Sequence, residues 1–173
     1  MSGPGSWVIL ALVIGAAVLA TVVLIGMGGG KAVASLPEEL EGFELVNQFD
    51  HIEPIFPGER YSMLNSFAPT AGSPFAEEVE RMGVTAYVFK DRKSAAAALE
   101  LLIGSTYSEA QEITLNKHKV QFFANAEAGQ AGLIWQDGPI LYEVFITSPA
   151  TPADIPALQE AALVAARAII GAR

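Results

Sequence analysis

Cysteine is absent from all 173 residues, and histidine occurs only twice, at His51 and His118. The first absence excludes disulfides, thiolate nucleophiles and cysteine-ligated zinc or iron–sulfur centres, and it suits reducing and oxidising compartments alike. The scarcity of histidine removes most of the side chains that run acid–base chemistry near neutral pH. Basic runs are missing too. Lys31 is the only charged residue before Glu38, so residues 32–173 hold 9 Lys and Arg against 19 Asp and Glu, a net of −10. A surface of that sign repels phosphate backbones and anionic headgroups, which argues against a nucleic-acid partner.

One long uncharged run is present. Trp7 to Met27 is 21 residues of aliphatic side chains with glycine, a single Thr and the flanking Trp and Met, and at about 1.5 Å per residue such a helix crosses a hydrocarbon core of about 30 Å. Trp7 stands where an amphipathic ring favours the headgroup level, and the glycines from Gly26 break the helix at the far edge. Ala32-Val33-Ala34 before Ser35 has the form of a signal-peptidase site. A cleaved signal, however, has an apolar region of roughly 7–15 residues after positive charge, and residues 1–6 contain no Lys or Arg. The expectation is a retained signal-anchor and a single-pass membrane protein. Lys31 alone would place the domain in the cytoplasm. The Ala-Val-Ala motif, with no basic support beyond Lys31, favours an extracytoplasmic domain instead. Ala11, Gly15, Ala16 and Ala20 have the small-residue spacing of packed helices, which an Ala-rich span produces by chance.

The chain divides into a tail (1–6), a transmembrane helix (7–27), a flexible linker (28–37) and a globular domain (38–173). In the domain, 43–49 reads as an edge strand. Residues 50–82 are dense in Pro and Gly, with a strand piece near 61–67 and a helical turn over 74–81. Residues 84–90 are apolar on both faces, as in a strand covered on both sides. Residues 91–104 form a helix capped by Asp91 or Ser94, with Ala95, Ala98, Leu99, Leu102 and Ile103 on one stripe. Strands at 110–115, 119–126, 131–136 and 140–147 make an antiparallel meander. A last helix starts at Thr151 and Pro152, with an apolar stripe through Ile155, Leu158, Ala162, Ala165, Ala166 and Ile169. The fold class expected is α+β: one membrane helix, then a two-layer domain with helices on one face of a mostly antiparallel sheet. In the last strand Ile140, Tyr142, Val144 and Ile146 form the buried face. Glu143 points the other way, partly exposed or paired with a lysine.

Chemistry-bearing patterns are few. Asp50, His51 and Glu53 are three candidate metal ligands within four positions, but alternation in an extended chain aligns one pair at most. They read as a solvated polar cluster, and His118, between Lys117 and Lys119 in a turn, as exposed. Ser73 and Ser105 fail the nucleophile-elbow pattern. The run from Gly26 to Lys31 imitates half a phosphate loop, but Ala32 stands where Ser or Thr is needed. No catalytic, cofactor-binding or metal-binding residue is therefore assigned, and no cofactor. Trp135, Phe122 and Phe123, with Phe56, Tyr61, Phe67 and Phe75, supply aromatic surface for contacts or cap one end of the core. The expectation is a non-catalytic interaction module or an accessory subunit of a membrane complex. It would meet the membrane through Trp7 to Met27 and a protein partner in the membrane or at its surface. The alternative is a binding domain for a small apolar or amphipathic ligand between sheet and helices.

Overall fold

Two strands rich in β-branched and aromatic residues pair at the centre of the domain: β3 (Arg81–Phe89) lies antiparallel to β7 (Ile140–Thr147), with Val84 opposite Val144 and Thr85 opposite Glu143. The structure is a computed structural model and describes residues 34–105 and 109–171. On one side of the central pair come β2 (Glu59–Pro69) and the edge strand β1 (Phe43–Ile52). On the other come β6 (Gln130–Asp137), β5 (His118–Asn125) and β4 (Gln111–Leu115). All neighbours run antiparallel in the order β1-β2-β3-β7-β6-β5-β4. Helix α1 (Arg92–Ser105) follows β3, and helix α2 (Ile155–Gly171) follows β7. The domain is an α+β fold with a seven-stranded antiparallel sheet and two helices.

The two helices lie on opposite faces of the sheet, not on one. Side chains of successive strand residues alternate between faces. Val84, Ala86, Leu133, Trp135, Tyr142 and Val144 pack with Leu158, Ala162 and Ala165 of α2. Their sequence neighbours Tyr87, Phe89, Ile134 and Leu141 pack with Ala95 and Ala98 of α1. Both alternating sets of the central strands are apolar, so each face needs its own cover. Glu143, expected near solvent, is accordingly 7% exposed. Trp135, Phe122 and Phe123 are buried rather than exposed.

Local rules account for the element boundaries. The proline-rich region holds β2 in full because Pro57 and Gly58 precede the strand and Pro69 ends it. Over 74–81 a single turn closes, the Val79 amide donating to the Phe75 carbonyl at 2.9 Å, while Arg81 already belongs to β3. Asn116 and Lys117 both have positive φ in the two-residue turn between β4 and β5, as a right-twisted hairpin requires. Helix α2 starts later than Thr151. Asp154 is its cap, its Oδ1 accepting from the Ala157 amide at 3.2 Å, and Pro156 occupies the first turn.

Ala34 and Leu36 pack against the α2-side core, and the Pro37 carbonyl accepts from Asn65 Nδ2 at 2.8 Å. Residues 34–37, within the stretch read as a tether, therefore rest on the domain. The span at Trp7–Met27, the phosphate-loop resemblance and Lys31 lie outside the described residues. Among the described residues no helix is long and apolar enough to cross a membrane.

Candidate interaction surface

Helix α1 covers its face of the sheet only in part. It packs on β3, β6 and β7 and leaves the β1–β2 side without a helix. Leu64 pairs with Thr85, Ser66 with Gly83, and Gly83 in turn with Phe145. A bulge after Leu45 turns Asn47 and Phe49 to this same face, opposite Ser66 and Leu64. The result is a half-buried shelf of Phe49, Leu64, Gly83, Thr85 and Phe145 beside the helix. At Gly83 an added Cβ would meet Leu64 Cδ1 at 3.5 Å and the Phe145 carbonyl oxygen at 3.9 Å, both ordinary contacts.

Behind the shelf lies a buried polar pair. The Tyr87 hydroxyl donates to Glu143 Oε2 at 2.7 Å. Phe56 meets the Tyr87 ring edge-on at 5.3 Å and tilts over Phe89 at 6.3 Å. Phe56 belongs to the loop between β1 and β2, and the base of that loop is a second buried acid. Glu59 is 8% exposed, and its Oε2 accepts from the amides of Ile55 at 2.9 Å and Phe56 at 3.0 Å. Its Oε1 is buried without a hydrogen-bond partner. Gly58 has φ of +81°, and an added Cβ would lie 2.7 Å from Ser94 Oγ. Only glycine fits there on both counts.

His51, exposed and with φ of 59°, tilts over the Tyr61 ring at 4.8 Å. Tyr61 packs with the α2-side core, the face opposite Glu143. His118, half-buried, opens β5 opposite Leu115. Asp50 and Glu53 are exposed, and among the described residues no three His, Cys, Asp or Glu side chains converge as metal ligands.

Two ionisable groups are perturbed. Burial, with Tyr61 adding to it, pushes the Tyr142 hydroxyl from 10.0 up to about 12, beneath the Trp135 ring stacked at 5.2 Å. The Ser94 amide and hydroxyl, helped by Lys90, hold the Asp91 carboxyl below its ordinary value. The amide bond, 2.7 Å to Asp91 Oδ1, is the cap of α1.

Sequence reasoning found Glu143 and placed it wrongly. It missed the Glu59 clip, whose only trace is an acid just after Pro54-Ile55-Phe56-Pro57-Gly58. Compared with family models, curated proteins and solved structures, the chain matches none.

Proposed function

We propose that this chain is a membrane-anchored, non-catalytic interaction module, held by Trp7–Met27 and contacting a protein partner through the shelf on the α1 face of its sheet. The observation that carries the reading is the shelf itself. Toward β1 and β2, beyond the strands on which α1 packs, Leu64, Thr85 and Phe145 remain half-buried beside that helix. Incompletely covered apolar sheet is the usual material of an interface. The ligand-binding alternative needs a hollow interior, whereas Trp135, Tyr142 and Phe67 fill the α2-side core at 1% exposure or less. The same chain takes an extracytoplasmic orientation in this proposal.

The test is co-purification of the full chain from native membranes. The wild-type chain brings down a partner at fixed ratio, and Leu64→Lys loses it at least tenfold while its circular dichroism and melting are kept. A partner retained undiminished by Leu64→Lys and by Phe145→Ala contradicts the role of the shelf.

A further inference from the structure

The Ala-Val-Ala motif ends on a residue that the fold takes in. Ala34 is 4% exposed and belongs to the α2-side core, whereas Ser35, across the next peptide bond, is exposed. Leu36 packs against the same core. Pro37 is tied from the domain side, its carbonyl accepting from Nδ2 of Asn65, a β2 side chain that is 1% exposed. Ser35, Leu36 and Pro37 also line one cleft with Ala168 and Ile169 of α2. Residues 34–37 are thus a strap, held by the apolar core at its first and third residues and by a hydrogen bond at its fourth.

A peptidase takes its substrate as an extended strand, with alternate side chains seated in pockets of the enzyme. The Ala34 methyl group cannot fill such a pocket and the domain core at once. Leu36 and Pro37 cannot run through an enzyme cleft while they lie against the core and Asn65. Hydrolysis here adds water across the bond from the Ala34 carbonyl carbon to the Ser35 nitrogen, leaving a carboxylate on one and an amine on the other. Cutting the folded protein therefore waits for the strap to lift, and its rate follows the fraction of chains in which the strap is off.

We infer that docking of residues 34–37 closes the Ala34–Ser35 bond to signal peptidase, so that the cut is possible only before the strap seats and a chain that folds uncut keeps its N-terminal segment. The inference rests on the anchored reading, whose processing it describes. The test incubates the whole folded chain in detergent micelles with purified signal peptidase and follows intact mass. A fusion of residues 1–40 to an unrelated folded domain offers the same bond without the seat of the strap. The fusion is cut to a chain beginning at Ser35, and the whole chain at least roughly tenfold more slowly. Ala168→Glu crowds the cleft and Asn65→Ala removes the donor to Pro37, and both leave the sequence around the bond untouched. Each variant is cut at a rate approaching that of the fusion, with the circular dichroism of the domain retained, and either one serves if the other does not fold. Equal rates for the whole chain and the fusion overturn the inference. A fusion that resists shows that the bond is no substrate and overturns it too, as do folded variants that resist like the wild type. The anchored reading fails separately: a native chain that begins at Ser35, beside a folded whole chain that resists the enzyme, refutes the retained anchor and supports the strap, since the cut then preceded docking.

Discussion

Tyr87 and Glu143, 56 positions apart in sequence, share a 2.7 Å hydrogen bond inside the α1-side core, the phenol donating to a carboxylate that is 7% exposed. Removing the donor leaves a buried acid short of a bond, so Tyr87→Phe is expected to cost about 1–3 kcal/mol. Adding Glu143→Gln to it should recover part of that cost, since the buried carboxylate goes. Urea denaturation of the two single variants and the double variant gives the coupling, and strict additivity would show that the bond contributes nothing.

The Glu59 carboxylate holds two backbone amides of one loop. Glu59→Ala should destabilise the domain by about 2–4 kcal/mol, given the usual worth of hydrogen bonds to a charged acceptor. Amide exchange at Ile55 and Phe56 should accelerate more than at Val84 in the central strand. Equal acceleration everywhere would mean that Glu59 supports the fold globally and does not clip the loop.

Alkaline pH should weaken the fold through Tyr142. Its folded value lies near 12 against 10.0 unfolded, so above pH 10 the unfolded chain releases the proton first and the native state keeps it. Stability contributed by the neutral phenol is complete below pH 10 and falls as pH rises towards 12, by at most about 2–3 kcal/mol. Tyr142→Phe should flatten that slope in denaturation series across this range.

How much of this was legible depends on where the signal sits. The double apolar pattern of 84–90, the capped helix after it and the four-strand meander are local properties, and the structure has each of them. The placement of the helices was legible in the same alternation, since Leu141 and Phe145 are as apolar as Ile140 and Tyr142. Glu143 between them drew attention to solvent because its partner, Tyr87, is remote in sequence. The prolines of 50–82 suggested broken structure, yet they sit at the ends of β2 rather than inside it. The Glu59 clip has no periodic signature. It closes a loop whose base is set only when Glu59 pairs with Phe89.

The non-catalytic reading predicts that His51→Ala and His118→Ala together leave the cellular role intact. His51 and Glu143 face opposite sides of the sheet, so no acid–base pair joins them. A null phenotype in the double variant, with the protein folded and at normal abundance, would reveal chemistry at one of the two.

The proposed function depends on the chain remaining in the membrane, and the intact mass of the protein purified from native membranes tests that directly. The account predicts a mass that includes Trp7–Met27, in a fraction that resists alkaline extraction. A mature chain beginning at Ser35, free of the membrane, would contradict it.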